Sequence, residues 1–407
     1  MQLPPGLPDF TGRAAELDRL LPDVAAHDGR EQARQWRLTV VTGPPCVGKS
    51  SLAVAAGHAA ADAYPGGLFH VDLRDVSGRP KSPTAALTEL LRELGDPTLP
   101  LPNDAQALLH SYRARMPAGA PSLLLLDNAV SEAQVRPLLP NSPLATTVVT
   151  SCSRLAGLDG SEALELRPLD EGASLDLLRR ICGPACLDAE PQSALRLVRL
   201  CRGLPLALRI AGARLALGRA CRLAKIVDRL ESGGALDWFT VGDIDLRQRL
   251  GRGFGPLTDT DWAQLRLLDR EGDFTFMDAW HRLGGDPVDT DRALARLWET
   301  HALTSAREPG PDGTSLFRFT AFVRELARER PALGAQPCAA AGGRGGAGPG
   351  GIPGLPALWG LPGLAELVGL SDADGTRDLS DGPGLVYLVD ADRRDRARSV
   401  ARPQEVR

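Results

Sequence analysis

Eight residues that follow a short apolar segment have the types and the spacing of a phosphate-binding loop. Residues 43–50 read Gly-Pro-Pro-Cys-Val-Gly-Lys-Ser, which matches the pattern G-x-x-x-x-G-K-[ST]. The glycines allow a tight loop whose backbone N–H groups point at phosphate oxygens, and the N-terminus of the following helix adds partial positive charge. In such a loop Lys49 reaches the β- and γ-phosphates, while the Ser50 hydroxyl binds Mg²⁺. The predicted nucleotide-binding residues of the loop are Gly43, Pro44, Pro45, Cys46, Val47, Gly48, Lys49, Ser50 and Ser51.

Because lysine is rare in this chain, a lysine at the right position of the loop pattern is stronger evidence for a phosphate-binding loop. Lys49, Lys81 and Lys225 are the three lysines among 47 Lys and Arg residues. In a chain of this composition a chance match to the loop pattern is expected roughly a few times in a thousand. The alternative, an ordinary glycine turn before a helix, is therefore the weaker interpretation.

A carboxylate directly follows the apolar segment Leu123–Leu126, at Asp127. In phosphate-loop enzymes a carboxylate at such a strand end holds Mg²⁺, so Asp127 is the predicted catalytic residue and, with Ser50, a predicted metal ligand. An aspartate at this position can also be a plain helix cap. The next residue is Asn128 and not an acid, whereas fast hydrolysis usually needs a nearby carboxylate to activate water. We therefore expect slow ATP hydrolysis or none, a weak ATPase at most.

Short apolar segments alternate with helical patterns and must position these residues. Such alternation is typical of an α/β fold, here a parallel sheet covered on both faces. Ligands of such sheets bind beyond the carboxyl ends of the strands, where Gly43, Asp127 and Ser151 are expected. The predicted strands cover 38–42, 68–73, 122–126, 146–150 and 163–166, and the predicted helices cover 50–63, 84–94 and 105–115.

The chain divides by pattern into four parts. A phosphate-loop nucleotide-binding domain is predicted over 1–168, and a helical domain over 169–240. Helices followed by two strand-like pieces predict a winged-helix domain over 241–330. Residues 331–407 begin with a segment rich in Gly and Pro, which predicts a flexible tail.

Composition excludes several classes of protein. The formal net charge of −4 gives no general attraction to nucleic acid or to an acidic membrane. No apolar run reaches the roughly 18 residues of a membrane span, and the N-terminus lacks the pattern of a secretory signal. The 7 scattered Cys residues indicate reduced thiols and a cytoplasmic protein, with no zinc-site spacing.

Several motifs together resemble the NB-ARC domain of STAND-class ATPases, and specifically the AfsR-type regulators of actinobacteria. The N-terminal segment LPPGLPDFTGRAAEL resembles the family's F-x-G-R-x-x-E-L motif. The resemblance covers about 3–330, with the motifs in the family's order. Besides the phosphate loop, it is carried by LLLLDNA (123–129), QVRPLLPNSP (134–143), VVTSCSRLAGLDG (148–160) and GLPLALRIAGARLA (203–216).

The resemblance implies a switch in which ADP holds the domains closed and ATP opens them for assembly with itself or with a protein partner. It places Gly12 and Arg13 by the adenine and ribose, and Pro205 against the base. Seen alone, the sequence around Pro205 would read as a simple helix break. The implied cofactors are ADP or ATP with Mg²⁺.

The sequence departs from the family at both predicted sensors. Cys152 takes the position of the sensor arginine, and Arg154 lies two residues later. A thiol cannot make the charged, bidentate hydrogen bonds to phosphate that an arginine guanidinium makes. The family's R-F-H-D becomes R-F-T-A, with Thr320 in place of the histidine and no histidine after His301. Thr320 could still donate a weaker hydrogen bond. The N-terminal DNA-binding region and the C-terminal repeats of the family are also expected to be absent.

The leading hypothesis is a nucleotide-binding regulatory switch in signalling or transcriptional regulation. One alternative is a degenerate, non-catalytic adaptor, which the changes at Cys152 and Thr320 favour. Another is a transcription regulator that contacts DNA through its winged helix, with Arg247–Arg252 as the supporting segment. A charged helix face is usually only solvated, so we do not expect DNA contact from this chain alone.

Overall fold

A computed structural model describes most of the first 330 residues. The described residues are 3–25, 37–95, 102, 104–116, 119–218, 222–233, 235–270, 272–306 and 315–330. The predicted tail at 331–407 lies outside them. The described residues form two compact units, of which the first comprises those within Met1–Asp269, Arg292–Thr304 and Phe319–Pro331, and the second comprises those within Arg270–Asp291 and Ser305–Arg318.

A five-stranded parallel sheet is the centre of the first unit. Its strands are β1 (Arg37–Thr42), β2 (Leu68–Asp72), β3 (Ser122–Ala129), β4 (Ala145–Ser151) and β5 (Ser161–Glu165). They lie in the order β2-β3-β4-β1-β5, so the strand that enters the phosphate loop is internal to the sheet. The α/β fold with a parallel sheet and a phosphate loop, predicted from the sequence, is confirmed.

Alternate residues of the apolar strands explain why the sheet is buried on both faces. Leu124 and Leu126 belong to a core cluster with the helices α3 (Pro83–Leu94) and α4 (Ala105–Arg115). Leu123 and Leu125 point to the opposite face. There a Cβ at Gly57, in α2 (Lys49–Ala59), would lie 3.5 Å from each of their side chains. The period of two along a strand thus gives two apolar faces, each covered by helices.

A side-chain cap or a proline in the first turn starts several of the remaining helices of the first unit. Asp170 accepts a hydrogen bond from Ala173 N and starts α6 (Glu171–Cys182), and Pro205 occupies the first turn of α9 (Pro205–Leu217). These helices are α1 (Ala14–Ala25), α5 (Glu132–Val135), α6 (Glu171–Cys182), α7 (Pro184–Asp188), α8 (Pro191–Leu200), α9 (Pro205–Leu217), α10 (Leu223–Glu231), α11 (Ala235–Trp238), α12 (Leu246–Gly253), α13 (Asp259–Leu268) and α16 (Val323–Glu329). The short strands β6 (Thr240–Val241) and β7 (Ile244–Asp245) pair antiparallel.

The second unit contains α14 (Phe276–Leu283) and the first residues of α15 (Pro287–Glu299). Thr275 and Asp278 form a capping box that starts α14. Phe274 bridges Phe317, and their rings stack at a centroid distance of 5.8 Å. Phe317 begins the strand β9 (Phe317–Phe319), and a further short strand is β8 (Leu303–Ser305).

The structure places Asp127 inside a strand, whereas the sequence predicted it just after one. β3 continues to Ala129 with a shift of register between Leu126 and Ala129. Asn128 adopts a φ of 60°, which Asn tolerates better than most residues, and its N–H donates to Thr150 Oγ1 at 3.0 Å. This side-chain contact replaces a ladder hydrogen bond and lets the strand continue past the irregularity.

Candidate phosphate-binding site

The predicted phosphate loop joins β1 to α2 and depends on glycine at its two ends. Gly43 has a φ of 146° and Gly48 a φ of 97°, where L residues are strained. A Cβ at Gly43 would also lie 2.5 Å from Leu166 O. Ser50 and Ser51 lie in the first turn of α2, and no side chain caps that helix. Among the described residues no side-chain cap occupies this helix end, as an anion site requires.

Lys49 is buried at the loop, with 7% of its surface exposed. Its Nζ donates to Gly43 O and to Pro44 O, both at 2.8 Å, and to Cys152 Sγ at 3.3 Å. The structure thus brings the predicted sensor position, Cys152, onto the loop lysine. A buried ammonium held by carbonyl dipoles is a compact charge that phosphate oxygens can compete for.

Arg13 connects the N-terminal segment to the loop. Its Nη2 donates to Val47 O at 3.1 Å and to Arg167 O at 2.7 Å, and its Nη1 pairs with Glu16 at 2.6 Å. The side chain is 6% exposed. Because the guanidinium donates to two carbonyls distant in sequence, it fixes the loop against the segment after β5.

The segment Leu166–Leu169 is the point where the predicted motifs meet. Leu166 N donates to Thr42 O at 2.8 Å, and Leu169 N donates to Gly203 O at 2.8 Å. A Cβ at Gly12 would lie 3.2 Å from Leu169 Cδ2 and 2.6 Å from the Cβ of Ala173. The Gly12 motif and the Gly203 motif therefore both pack on the segment Leu166–Leu169, beside the loop.

Pro205 lies beside the loop as well. A Cβ at Gly48 would be 3.7 Å from Pro205 Cγ, which is ordinary van der Waals contact. Pro205 opens α9, where its missing N–H costs nothing because the first turn has no acceptor for it. The predicted neighbours Gly12, Arg13 and Pro205 thus all lie around the phosphate loop.

Asp127 is held by two neighbours at the carboxyl edge of the sheet. The Thr150 hydroxyl donates to Asp127 Oδ1, and Asn128 Nδ2 donates to Asp127 Oδ2 at 3.0 Å. The same Asn128 Nδ2 also donates to Asp72 Oδ1 at 3.1 Å. Within the described residues, no group of three or more His, Cys, Asp or Glu side chains is arranged to hold a metal ion. A cation at this edge would therefore need phosphate oxygens in addition to Ser50 and Asp127.

Cys46, in the middle of the loop, is a poor nucleophile in the folded protein. The pKa of the Cys46 thiol is raised to about 12, mainly by burial and then by Cys152, against opposing effects of Lys49 and Arg249. The neighbouring Pro45 leaves no room for a side chain at Gly253, whose Cβ would lie 2.4 Å from Pro45 Cβ. The end of α12 therefore packs directly on the loop.

Arg154 binds protein groups. Its guanidinium donates to both oxygens of Glu165, at 2.9 and 3.2 Å, and lies 4.3 Å from the centroid of the Trp298 ring. Its backbone N donates to Glu299 O at 3.1 Å. These contacts therefore occupy the guanidinium group with which an arginine sensor would bind phosphate.

His301 is a residue that the sequence analysis missed. It is 1% exposed, and its Nε2 lies 2.7 Å from Oγ1 of Thr42, the last residue before the loop. Burial is the main cause of a pKa well below the usual 6.5, with Arg154 and Lys49 acting in the same direction. Thr320, the predicted substitute for the family histidine, donates its hydroxyl to His301 O at 2.5 Å. No spacing in the sequence pointed to His301.

Asp72 was also missed, although a signal was present. It ends the apolar strand β2 just as Asp127 ends the run Leu123–Leu126, and the two are direct neighbours in register. The rule that selected Asp127, a carboxylate after an apolar strand, selects Asp72 equally well.

The chain resembles two curated proteins over most of its own length. It is 34% identical over 339 residues to the regulatory protein AfsR of Streptomyces griseus, a match that covers 83% of this chain and 34% of that protein. With the regulatory protein AfsR of Streptomyces coelicolor it shares 34% identity over 80% of this chain and 33% of that protein. The chain thus spans about a third of the length of these relatives. No family model matches it.

Two solved structures show weaker similarity. A STAND protein with a tetratricopeptide repeat sensor from Pyrococcus horikoshii is 17% identical, with a TM-score of 0.34, over 80% of this chain and 43% of that one. The Aeropyrum pernix Orc1 protein, solved in complex with DNA, is 14% identical, with a TM-score of 0.39, over 79% of this chain and 93% of that one. Among the described residues, no helix is long and apolar enough to cross a membrane.

Proposed function

The chain is related to the AfsR-type regulatory proteins over most of its length, and we propose that it is a nucleotide-binding regulatory switch. In this proposal an NB-ARC-like arrangement of the parts 1–168, 169–240 and 241–330 binds ADP or ATP with Mg²⁺, and the last part is winged-helix-like. Hydrolysis is slow, and exchange of the nucleotide changes how the chain meets a protein partner or a second copy of itself.

The phosphate loop carries this proposal. Gly43 and Gly48 provide the backbone angles, the first turn of α2 has no side-chain cap, and Lys49 lies at the centre of the loop. These are the backbone donors, helix end and point charge that a chain of phosphates needs. The residues present therefore fit a nucleoside di- or triphosphate.

The proposed Mg²⁺ ligands are the Ser50 hydroxyl and the Asp127 carboxylate, two oxygen donors of the kind that the ion prefers. When bound, Mg²⁺ neutralises charge on the phosphates. Thr150 and Asn128 fix the orientation of Asp127, so that the carboxylate needs little reordering when it receives a cation.

The proposed nucleoside contacts are Gly12, Arg13 and Pro205. Support comes from their common position around the loop, with Arg13 donating to Val47 O and Pro205 beside Gly48. Sensing of the terminal phosphate would then fall to Cys152, Arg154 or Thr320. Arg154 and Thr320 already bind Glu165 and His301, so we expect discrimination between ATP and ADP to be modest.

The test is nucleotide affinity in Lys49→Ala. Isothermal titration with ADP and Mg²⁺ should show a loss of at least about 100-fold, because a charged contact to phosphate is removed from a buried site. Lys225→Ala is the matched control, since it removes one of the other two lysines at an exposed position. Unchanged ADP affinity in a folded Lys49→Ala variant would refute the proposal.

A non-catalytic adaptor is the second candidate, because Arg154 and Thr320 are engaged by other protein groups. Phosphate release and the hydrodynamic radius, measured in ADP and in a non-hydrolysable ATP analogue, separate the two functions. A switch changes its radius or its association state between the nucleotides, whereas an adaptor releases no phosphate and keeps one radius.

DNA contact through the proposed winged helix receives little support from the structure of α12. Arg247 pairs with Glu329 at 2.7 Å and with Asp237 at 2.7 Å, so its charge is already partnered. Retardation of duplex DNA by the full chain, with strong dependence on salt, would favour this function instead.

A further inference from the structure

Two carboxylates lie side by side at the edge of the sheet where the phosphate loop begins. Asp72, the last residue of β2, is the direct neighbour in register of Asp127 on β3. One amide group, Asn128 Nδ2, donates to Asp72 Oδ1 at 3.1 Å and to Asp127 Oδ2 at 3.0 Å. The amide sets the spacing of the pair and offsets part of their repulsion.

The two carboxylates differ in how their oxygens are used. Both oxygens of Asp127 accept hydrogen bonds, from Thr150 and from Asn128. Asp72 uses Oδ1 for Asn128 and for the backbone N of Arg74, at 2.9 Å. Among the described residues no donor lies on Asp72 Oδ2, and the residue is exposed. Asp72 can therefore hydrogen-bond a water molecule while its orientation stays fixed.

We propose that Asp72 supplies the carboxylate that activates water for ATP hydrolysis at this site. The inference rests on the proposed nucleotide-binding function. The residue after Asp127 is Asn128, so the usual neighbour in sequence cannot act as a base. The adjacent strand provides a base in its place, and Asn128 serves as the amide that positions it.

The proposed step balances with water as the second reactant. The water oxygen forms a bond to the terminal phosphorus while the bond from that phosphorus to the bridging oxygen breaks, with ADP as the leaving group. The water proton passes to Asp72 Oδ2 and is then released to solvent. Asp127 keeps its hydrogen bonds to Thr150 and Asn128.

Asp72→Asn separates this role from a structural one. The amide of Asn keeps an oxygen that can accept from Arg74 N, so the turn after β2 is retained while the basic oxygen is lost. Asp75→Asn is the matched control. Asp75 Oδ1 accepts from Ser77 N and from Arg79 N, both at 2.9 Å, in the same loop.

The experiment measures ATP affinity by titration and single-turnover phosphate release for the full-length wild type and both variants. We expect Asp72→Asn to lower the rate about 100-fold and to leave ATP affinity within about twofold. Asp75→Asn should change none of these quantities.

Every other result of this experiment contradicts either the role of Asp72 or the proposed nucleotide-binding function. Normal ATP binding with an unchanged rate in Asp72→Asn, or no release by the wild type, overturns the role of Asp72 and leaves the nucleotide switch intact. A folded wild type that binds no nucleotide overturns the proposed function itself and this inference with it. Loss of ATP affinity in Asp72→Asn equal to its loss of rate overturns the base and indicates a binding role.

Discussion

His301 Nε2 lies 2.7 Å from Thr42 Oγ1, although 258 residues separate the two in the chain. Thr42 is the last residue of β1, directly before Gly43, and its hydroxyl also donates to Ser153 O at 3.1 Å. On the other side of the ring, Glu165 Oε1 lies 3.7 Å from His301 Nδ1. The end of the strand that opens the phosphate loop is therefore tied to the chain beyond α15.

Replacing His301 should change how stability depends on pH. Its pKa is depressed in the folded protein, mainly by burial and then by Arg154 and Lys49, so the unfolded chain binds a proton that the folded protein does not. The contribution of neutral His301 to the free energy of unfolding is therefore complete above about pH 6.5 and is lost as the pH falls below that value. Between pH 7 and 5.5 the wild type should lose about 1 kcal/mol more than His301→Gln in urea unfolding.

The comparison with the variant is needed because other groups titrate. Burial raises the pKa of Glu299, which has the opposite effect on the slope, and that contribution cancels between the two proteins. His58→Gln, at an exposed histidine, is the control for the substitution itself. Parallel stability curves for the wild type and His301→Gln would contradict the prediction.

Arg154→Lys should destabilise the fold although the charge is kept. Lysine cannot make the two parallel hydrogen bonds to Glu165 or stack as a plane on Trp298. Because the arginine is 18% exposed, we expect a loss of about 1–2 kcal/mol in the free energy of urea unfolding. Arg179→Lys is the control, since Arg179 is 46% exposed and lies 3.5 Å from Asp188. A similar loss in both variants would show that the Arg154 contacts contribute nothing special.

The sequence alone predicts the parts of this site whose chemistry is local. A run such as Leu123–Leu126 indicates a strand buried on both faces because every side chain in it is apolar, and the loop 43–50 is recognised because its glycines and Lys49 are close in sequence. The position of Asp127 within β3 escapes such analysis. It depends on the Thr150 hydroxyl, which belongs to the next strand.

Contacts distant in the sequence explain the other differences. The family resemblance points to Arg154 as a candidate sensor, but its partners Glu165 and Trp298 lie on other elements. His301 contacts Thr42 from a backbone conformation with a φ of 53°, which the neighbouring residues in the sequence do not predict. In both cases burial and pairing, and not local pattern, decide where the charged or polar group points.

Gly203→Ala should be among the costly glycine substitutions in the chain. Gly203 has a φ of 67°, and a Cβ there would lie 2.3 Å from Leu169 O, which is backbone and cannot move aside cheaply. Gly242→Ala separates the two causes, because Gly242 has a φ of 57° and nothing within 4 Å. Chemical unfolding should show a loss of about 1 kcal/mol at Gly242 and at least about 3 kcal/mol at Gly203. Equal losses would mean that the backbone of Leu166–Leu169 shifts at little cost in free energy.

Asn128→Asp should make the stability of the protein depend on magnesium. The substitution replaces the amide that donates to Asp72 and Asp127 with a third carboxylate, so both hydrogen bonds are lost and repulsion is added. In EDTA we expect the free energy of unfolding to fall by about 2 kcal/mol, since charged acceptors lose their donor. Millimolar Mg²⁺ should recover much of this loss, because clustered carboxylates bind hard cations.

Asn128→Gly is the matched control for that experiment. Glycine accepts the φ of 60° at this position and removes the amide without adding charge. It should lose about 1 kcal/mol, and Mg²⁺ should affect it no more than the wild type. If Asn128→Asp instead matched the wild type in EDTA, the amide would not be holding the two carboxylates together. The spacing of Asp72 and Asp127 would then follow from the register of β2 and β3 alone.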